Sequence, residues 1–591
     1  MSEAVALSVD ARGVGKRFTD ASTHKPIDAL AEVDVRVAHG ALTALVGPDG
    51  AGKTTFLRLV AGLMRPTEGE LKVLGIDVAR HPQAVQDRIS YMPQRFGLYE
   101  DLSIQENLDL YADLHGVPAD ERKERFARLL EMTDLTRFTT RPAGKLSGGM
   151  KQKLGLACTL VRSPELLLLD EPTVGVDPLS RRELWEIVQQ LIKEEQLTVL
   201  LATSYMDEAA QCADVYVMHE GKVLASGLPE EIAGRAQGRC YDVAPHSDEP
   251  ARQLQAQLLD DDASIVDAVP HGGRVHFILR DDAALKALPL YDRHVEPVEE
   301  SLEDGFMVLL RALSKERPAD AAHAMPDAVD GTSEQHEQPI IEVRDLVRRF
   351  GDFVAVDKTT FSVSRGEIFG LLGPNGAGKT TTFRMLCGLL PASSGQAHVA
   401  GMDMRTARAQ ARSRIGYVSQ KFALYANLSV QENLRFFGGT YGLRGKRLRE
   451  RMRTVLAQFD LEGHETQAAG QLPGGIKQRL AMAVGLLHEP DILFLDEPTS
   501  GADPLARRSF WRRITALASA GTTIVITTHF MEEAEYCDRI VIQDAGRLLA
   551  LGTPEEVRQQ AGETPDKRLD MEQAFIGIVE RARAKRQADA A

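Results

Sequence analysis

Two glycine-rich segments carry the residue types that can hold a phosphate group. The first reads GPDGAGKTT from Gly47, and the second reads GPNGAGKTT from Gly373. Glycines allow backbone N–H groups to turn inward around phosphate oxygens, and a helix that begins after the loop directs its positive end at the same anion. Each segment follows a short apolar stretch and precedes a helical one. The pattern predicts two phosphate-binding loops.

The last residues of each loop have separate expected roles. Lys53 and Lys379 are expected to reach the β- and γ-phosphates of a nucleotide, and Thr54 and Thr380 to bind Mg²⁺. An ordinary glycine-rich turn is the alternative, but two copies in the same context argue against it. The loop residues expected at the nucleotides are Gly47, Pro48, Asp49, Gly50, Ala51, Gly52, Lys53, Thr54, Thr55, Gly373, Pro374, Asn375, Gly376, Ala377, Gly378, Lys379, Thr380 and Thr381.

An acidic pair follows a later apolar run in each copy. LLLLDEPT contains Asp170 and Glu171, and ILFLDEPT contains Asp496 and Glu497. The first carboxylate of each pair is suited to a Mg²⁺-linked role, and the second to polarising an attacking water molecule. An exposed acidic pair after a strand is the alternative, which the repetition of DEPT disfavours. The loops and carboxylates together indicate nucleotide hydrolysis.

The two sets of motifs belong to one internal repeat. Gly373 follows Gly47 by 326 residues, and Asp496 follows Asp170 by the same interval. The segments that start at Tyr91 and Tyr417 keep this register. It slips by one residue only near the end of the copy, where Ser204 corresponds to His529. A constant register indicates one fold used twice.

Each copy predicts an α/β fold. A short strand (residues 42–46 and 368–372) leads into the glycine-rich loop and a helix. A polar helical stretch, a buried strand, a helix and a last strand follow. Strands that alternate with helices predict a mainly parallel sheet covered on both faces.

Between the loop and the carboxylates lie LSGGMKQ (Leu146–Gln152) and LPGGIKQ (Leu472–Gln478), which resemble the signature of ATP-binding cassette (ABC) proteins. The resemblance covers both copies and implies two P-loop ABC nucleotide-binding domains, each with a helical signature subdomain. The segments QRFGLYEDLS and SYMDEA are most similar to the ATPase subunits of ABC-2-type exporters. The two fused cassettes resemble one type of efflux ATPase.

The resemblance implies ATP and Mg²⁺ as cofactors and assigns further residues. The Mg²⁺ ligands it implies are Thr54, Thr380, Gln94, Gln420, Asp170 and Asp496. The catalytic residues it implies are Glu497, His529 and Glu171. The remaining nucleotide contacts it implies are the adenine-stacking Phe18 and Phe350, the signature residues Ser147, Gly148, Gly149, Pro473, Gly474 and Gly475, and the D-loop residues Asp177 and Asp503.

Members of this family close head to tail, with the loop of one cassette facing the signature of the other. The second loop would then meet the first signature, with Ser147, and the first loop would meet Pro473. Proline offers neither a side-chain donor nor a backbone N–H, and Ser204 is too short to bridge a phosphate and a water molecule as His529 could. Both departures fall on one nucleotide, so we expect one hydrolytic site and one degenerate site. Neutral drift with two active sites is the alternative.

The family couples its cassettes to membrane proteins through a groove beside the glutamine. We therefore expect one or two polytopic ABC-2-type permease subunits as partners, with peripheral attachment at the cytoplasmic face of the inner (plasma) membrane. The groove is expected to include Arg95, Phe96, Leu98, Tyr99, Lys421, Phe422, Leu424 and Tyr425. Packing beneath the helical subdomain is the alternative for each aromatic residue.

Composition limits the other classes of function. The net charge is −15, and residues 233–338 hold 21 acidic side chains against 10 basic ones, which disfavours a nucleic-acid partner. Five scattered cysteines suggest neither disulfides nor a zinc site. No apolar run approaches the length of a membrane helix, and no signal peptide is expected. An ABC-type translation factor that acts on the ribosome stays open as the alternative. Proteins of that class use a basic arm between their cassettes, whereas the connector of this chain is acidic.

The motifs and the composition together predict five segments. We expect a first nucleotide-binding domain at residues 1–236 and a small appended α+β domain at 239–312. A flexible acidic linker is expected at 313–337, a second nucleotide-binding domain at 338–559, and a C-terminal helical tail at 560–591. The role of the appended domain does not follow from its sequence.

Overall fold

The computed structural model describes residues 6–19, 25–94, 97–246, 249–261, 263–280, 285, 288, 290, 293–313, 339–420, 423–564 and 567–590. The chain forms two compact units. Unit 1 comprises residues 1–240, 297–316 and 503–505, and unit 2 comprises residues 241–296, 317–502 and 506–591. The predicted linker at 313–337 lies, except for Leu313, outside the described residues.

The first copy of the repeat begins with strands and alternates strands with helices thereafter. Its strands are β1 (Leu7–Thr19), β2 (Pro26–Ala38), β3 (Leu42–Val46), β4 (Glu68–Val73), β5 (Ile76–Asp77), β6 (Ile89–Met92), β7 (Leu166–Asp170), β8 (Thr198–Thr203), β9 (Asp214–His219) and β10 (Lys222–Gly227). Its helices are α1 (Lys53–Val60), α2 (Pro82–Gln86), α3 (Ile104–Leu114), α4 (Ala119–Met132), α5 (Gly148–Leu160), α6 (Pro178–Glu195), α7 (Met206–Ala209) and α8 (Pro229–Ala233).

The central sheet of this copy has the order β10-β9-β3-β8-β7-β6. All neighbours pair in parallel except β10, which runs antiparallel at one edge. Strands β3 and β7 are buried along their whole length, as expected for parallel strands covered on both faces. A smaller antiparallel sheet, β2-β1-β4-β5, shares a core with α1 and the central sheet. The predicted α/β class and mainly parallel sheet are confirmed.

Local signals in the sequence explain where the helices of the signature subdomain begin. The Ser103 hydroxyl caps α3 by accepting from the Glu106 N–H, and the Glu106 carboxylate in turn accepts from the Ser103 N–H. This reciprocal capping box satisfies two otherwise unpaired donors at the helix start. The side chain of Asn107, buried one turn later, donates to the carbonyls of Tyr99, Leu102 and Ser103. The segment before α3 is therefore tied to the helix.

The connector supplies a small sheet and one helix. Its elements are β11 (Cys240–Val243), α9 (Ala251–Leu259), β12 (Ile265–His271), β13 (Arg274–Leu279), β14 (Val295–Pro297) and α10 (Leu302–Leu313). The sheet has the order β12-β13-β11-β14, and its core includes Phe277, Leu254 and Leu258. Residues 241–296 belong to unit 2, whereas α10 belongs to unit 1 and packs against α7 and α8.

The second copy repeats the architecture of the first. Its strands are β15 (Ile341–Phe350), β16 (Phe353–Val363), β17 (Ile368–Leu372), β18 (Ser394–Val399), β19 (Met402–Asp403), β20 (Ile415–Val418), β21 (Ile492–Asp496), β22 (Thr523–Thr527), β23 (Arg539–Asp544) and β24 (Arg547–Gly552). Its helices are α11 (Lys379–Leu386), α12 (Arg408–Arg412), α13 (Val430–Thr440), α14 (Gly445–Gln458), α15 (Gly474–Leu486), α16 (Pro504–Ser519), α17 (Pro554–Ala561) and α18 (Met571–Ala590). The sheet orders are β20-β21-β22-β17-β23-β24 and β16-β15-β18-β19.

Helix α18 occupies most of the predicted C-terminal tail. It packs against α17 and the 3₁₀ segment Met531–Tyr536. In unit 1, α10 packs in the same way against α8 and α7. Phe306 of α10 and Phe575 of α18 are both fully buried. Among the described residues, no helix is long and apolar enough to cross a membrane.

Candidate functional site

The first glycine-rich loop joins the end of β3 to the start of α1. The Nζ of Lys53 donates to the carbonyl oxygens of Gly47, at 2.5 Å, and Pro48, at 3.2 Å. The same nitrogen lies 3.7 Å from the carboxylate of Glu171, and both side chains are buried. In the second copy, Lys379 donates to the carbonyls of Gly373 and Pro374 in the same way. Each loop therefore holds an ammonium group at its centre.

The glycine before each helix is required by backbone geometry. Gly52 and Gly378 both have a φ of 103°, a left-handed conformation that side chains disfavour. A Cβ on Gly52 would lie 2.9 Å from the Ala29 carbonyl oxygen, and one on Gly378 would lie 2.4 Å from that of Ala355. A side chain at either position would therefore collide with the backbone of β2 or β16. The other predicted loop residues lie in the same two segments.

The first acidic residue of each pair sits beside hydroxyl groups. In the first copy, Thr54 Oγ1 donates to Asp170 Oδ1 at 2.9 Å, and the Tyr91 hydroxyl donates to Asp170 Oδ2 at 2.9 Å. In the second copy, Thr527 Oγ1 donates to Asp496 Oδ1 at 2.7 Å. Hydroxyl and carboxylate oxygens are the hard ligands that Mg²⁺ prefers. The oxygen ligands at the end of β7 and the start of α1 therefore fit that ion.

Burial sets the protonation of these groups. It raises the pKa of Tyr91 to about 12, with a further contribution from the charge of Asp170. It likewise raises the pKa of Tyr417 to about 12, beside Asp496. Burial also raises the pKa of Asp496. The tyrosine hydroxyls are therefore protonated donors at neutral pH.

In the first copy, the second acidic residue has a serine as its neighbour. Ser204 Oγ donates to Glu171 Oε2 at 3.0 Å. Burial raises the pKa of Glu171, and the charge of Lys53 and the hydrogen bond from Ser204 offset this only in part. The raised pKa favours the protonated form, which is the weaker base.

In the second copy, the corresponding carboxylate has a histidine as its neighbour. His529 Nδ1 lies 3.3 Å from Glu497 Oε1, and both side chains are buried. Gln420 donates its amide N–H to the other oxygen of Glu497. Burial alone would raise the pKa of Glu497, but the neighbouring His529, together with Lys379, holds it below its usual value. The pKa values of Glu171 and Glu497 are thus shifted in opposite directions.

The two signature helices also begin differently. Ser147 caps α5, because its Oγ accepts a hydrogen bond from the Met150 N–H at 3.3 Å. Pro473 occupies the same position before α15 with a closely similar backbone conformation, but it provides no side-chain cap. The glycines Gly148, Gly149, Gly474 and Gly475 begin the two helices. Proline is accepted at a helix start, so the fold is retained while the hydroxyl is lost.

The remaining predicted nucleotide contacts lie at exposed or capping positions. Phe18 and Phe350 lie near the ends of β1 and β15 with 40% and 47% of their surfaces exposed. Gln94 is exposed as well. Asp177 caps α6 through the Ser180 N–H at 3.2 Å, and Asp503 directly precedes α16. The aromatic rings are therefore accessible for stacking.

Sequence reasoning missed two groups that shape the sites. One is the Tyr91 hydroxyl, which donates to Asp170. The occurrence of tyrosine at the same position of both copies, Tyr91 and Tyr417, is the sequence feature that could have indicated it. The other is Glu208, fully buried after Ser204, which accepts hydrogen bonds from Thr203 at 2.7 Å and from Thr173. Glu533 accepts from Thr528 at 2.6 Å in the second copy. These carboxylates hold the residue that precedes Ser204 or His529.

The predicted coupling groove is described only in part. Arg95, Phe96, Lys421 and Phe422 lie outside the described residues. Leu98 and Leu424 are half-buried. Tyr99 and Tyr425 expose 55% and 50% of their surfaces. Tyr425 also packs edge-on against Phe436, with ring centroids 4.9 Å apart, which makes an exposed aromatic patch in the second copy.

Comparison with known proteins places these features in one family. The family model described as ABC transporter matches residues 30–174 and 356–500. The chain is 48% identical over 588 residues to "Probable multidrug ABC transporter ATP-binding protein YbhF" of Escherichia coli, and the match covers 98% of each chain. It is 45% identical over 219 residues to "Nod factor export ATP-binding protein I" of Cupriavidus metallidurans, which covers 37% of this chain and 72% of that protein.

The motifs, the fold and these relatives agree. Two cassettes of the same α/β architecture each present a phosphate loop, an acidic pair and a signature helix within one chain. Proteins of this kind bind and hydrolyse ATP and work with membrane permease partners. The chain therefore belongs to the ATP-binding cassette family, as the ATPase subunit of an ABC transporter.

Proposed function

We propose that the chain is the ATP-hydrolysing subunit of an ABC-2-type exporter and that only its second cassette hydrolyses ATP at a substantial rate. In this proposal the cassettes close head to tail around two ATP molecules. The hydrolytic site combines Lys379, Gln420, Asp496, Glu497 and His529 with Ser147, Gly148 and Gly149. The degenerate site combines Lys53, Gln94, Asp170, Glu171 and Ser204 with Pro473, Gly474 and Gly475.

The observation that carries the proposal is the pairing of Glu497 with His529. A general base must be ionised to accept a proton from the attacking water. The pKa of Glu497 is lowered beside His529, whereas that of Glu171 is raised beside Ser204. Glu497 is therefore better prepared to act as a base at neutral pH than Glu171.

Bound ATP and Mg²⁺ would complete each site. Thr380 and Asp496, with Gln420, would hold Mg²⁺, which neutralises charge on the phosphate oxygens. The ammonium group of Lys379 would exchange its carbonyl partners for phosphate oxygens. Glu497 would orient and deprotonate water, and His529 would hold Glu497 and the water in position. Thr54, Asp170 and Lys53 would bind the nucleotide of the first loop in a similar manner.

The signature contrast supports the same assignment of the two sites. In a head-to-tail arrangement, Ser147 would serve the second loop and Pro473 the first. A hydroxyl and free helix N–H groups together stabilise negative charge at a phosphate. Loss of one preorganised donor costs roughly 10²–10³ in turnover. The first loop would therefore combine two defects, Ser204 in its own cassette and Pro473 opposite.

The transporter role would require a membrane partner. The relative that matches 98% of this chain is named for multidrug transport, and the one that matches 37% of it is named for Nod factor export. We therefore propose export, with drugs or ions as the class of cargo. One or two permease subunits of the ABC-2 type would anchor the chain at the cytoplasmic face of the plasma membrane. The patch of Tyr425 and Phe436 suits the insertion of a short apolar helix.

Matched substitutions of the two carboxylates test the site assignment. Glu497→Gln is expected to lower the ATPase rate by roughly 10²-fold or more, because the base is lost. Glu171→Gln is expected to change it by less than about twofold, since that site turns over slowly. Steady-state phosphate release measures both. Equal losses from the two substitutions would contradict the proposal.

Co-purification tests the transporter role independently. We expect the tagged chain, purified from detergent-solubilised cells, to retain one or two polytopic membrane proteins in stoichiometric amounts. Tyr425→Ala should reduce their recovery, whereas Leu389→Ala, at another exposed apolar residue of the same cassette, should not. Recovery of ribosomes without a membrane protein would instead support a translation factor.

A further inference from the structure

The small domain of the connector, residues 241–296, lies against the segment that follows His529. Both α9 and β12 of this domain pack on the 3₁₀ segment Met531–Tyr536. That segment begins two residues after His529 in the chain. The domain therefore touches the part of the second cassette that carries the proposed catalytic histidine.

Buried ion pairs define this docking. Asp267 of β12 accepts from Arg508 of α16 at 3.1 Å, and only 4% and 9% of the two side chains are exposed. Arg252 of α9 pairs with Asp538, just after the 3₁₀ segment. Removing one partner of such a pair leaves an uncompensated buried charge. The pairs therefore specify one docked position more strongly than apolar contact alone would.

A third contact reaches the 3₁₀ segment itself. The N–H of Gly273, in the turn between β12 and β13, donates to Glu535 at 3.2 Å. Glu535 is also paired with Arg558 of α17 at 2.5 Å, and both side chains are almost fully buried. The turn of the small domain thus contacts a carboxylate that α17 already holds.

The repeat shows that most of the charges on this docking surface are specific to the second cassette. Position by position, Glu535 corresponds to Ala210, Asp538 to Ala213 and Arg558 to Ala233 in the first cassette. Arg512, which pairs with Asp260 of the small domain at 2.6 Å, corresponds to Glu186. The first cassette keeps an arginine, Arg182, at the position of Arg508, but it lacks the charges that correspond to Glu535, Asp538, Arg558 and Arg512.

The docked elements lead directly to the site. Helix α16 starts immediately after Asp503, and its Arg507 lies over the ring of Phe530, at 4.4 Å, next to His529. Trp511 of α16 stacks on Tyr536 of the 3₁₀ segment, with ring centroids 4.5 Å apart. A domain that holds α16 and the 3₁₀ segment together therefore limits the movement of the segment between them.

We propose that residues 241–296 form a positioning domain that holds the His529 segment of the second cassette in its catalytic place. The inference rests on the proposed function, because it assigns the domain to the cassette that hydrolyses ATP. It predicts that undocking lowers turnover while ATP binding at the loop is retained. It also accounts for the presence of Glu535, Asp538, Arg558 and Arg512 in the second cassette only.

The protein contains an internal reporter for this docking. The chain has two tryptophans, Trp185 and Trp511, and Trp511 is almost fully buried beside the docked domain. In a Trp185→Phe background, the emission of Trp511 should shift to longer wavelength when the domain undocks. Asp267→Arg and Arg508→Asp are the disrupting variants, and their combination restores the pair in reversed order. Asp267→Asn is a milder variant for use if a reversal prevents folding.

Each single reversal is expected to shift the Trp511 emission and to lower kcat at least about fivefold, with the KM for ATP changed by less than about twofold. The double reversal should recover both signals. Arg182→Asp, at the matching position of the first cassette, is the control and should alter neither. A shifted emission with an unchanged kcat would overturn the proposal, as would an unshifted emission in both reversal variants and in Asp267→Asn.

A separate variant distinguishes the two proposals. If His529→Ala leaves the ATPase rate unchanged, the assignment of hydrolysis to the second cassette fails, whatever the docking variants do. If His529→Ala abolishes the rate but undocking does not lower it, the positioning role fails alone.

Discussion

His529 Nδ1 lies 3.3 Å from Glu497 Oε1, and both side chains are buried next to the glycine-rich loop of the second cassette. In the first cassette the equivalent neighbour of Glu171 is Ser204, at 3.0 Å. The two glutamates share a backbone conformation with positive φ, 48° and 51°. Their difference therefore arises from the neighbouring side chain, and not from the loop that presents them.

Replacement of His529 should change the pH dependence of hydrolysis. Burial raises the pKa of Glu497, and His529 is the main group that lowers it. In His529→Ala the pKa of Glu497 should therefore rise. Since the base works only when ionised, activity is lost as pH falls through its pKa, and the acid limb of residual kcat should move to higher pH. Ser204→Ala is the control and should leave the limb in place.

The two signature positions should respond unequally to alanine. Ser147→Ala removes the cap of α5 and should destabilise the protein by about 1 kcal/mol. It should also lower the ATPase rate by roughly 10²-fold, because the hydroxyl would serve the hydrolytic site. Pro473→Ala removes no side-chain cap, so its effect on the rate should be small. Thermal unfolding and phosphate release measure the two effects; a larger rate loss in Pro473→Ala would reverse the assignment of sites.

Glu208 should make the first cassette less stable as the pH rises from 4.5 to about 7. Burial, with a smaller contribution from the charge of Asp207, raises the pKa of Glu208 from 4.5 to about 7. Between these values the folded protein keeps a proton that the unfolded chain has lost, so stability falls as pH rises through this window. Glu208→Gln removes the titration, and its stability relative to the parent should increase from pH 4 to pH 8 by up to about 3 kcal/mol.

Urea denaturation measures the stability difference between Glu208→Gln and the parent. In a Trp511→Phe background, the fluorescence of Trp185 follows the unfolding of the first cassette alone. Asp207→Asn should give a smaller change in the same direction, since it removes only the neighbouring charge. A stability difference between Glu208→Gln and the parent that is independent of pH would contradict the prediction.

Much of the cassette could be predicted from the sequence, because its determinants are local. Glycine at Gly52 and Gly378 sets the loop, and the fully apolar strand before Asp170 predicts burial on both faces of a parallel sheet. Ser103 and Glu106 mark the start of a helix by their spacing alone. Because the two copies keep a constant register, each of these predictions for one cassette also applies to the other.

The tertiary structure decided what depends on residues distant in the chain. The contact of Tyr91 with Asp170 joins neighbouring parallel strands, and no local pattern specifies which side chains meet there. The opposite pKa shifts of Glu171 and Glu497 depend on burial, which only the folded chain provides. The ion pair of Asp267 with Arg508 joins residues 241 positions apart. The sequence by itself determined the family and the chemistry of ATP hydrolysis, because the motifs that specify them are local. The packing of residues 241–296 on the second cassette depends instead on contacts between charges that are far apart in the chain and meet only in the folded protein.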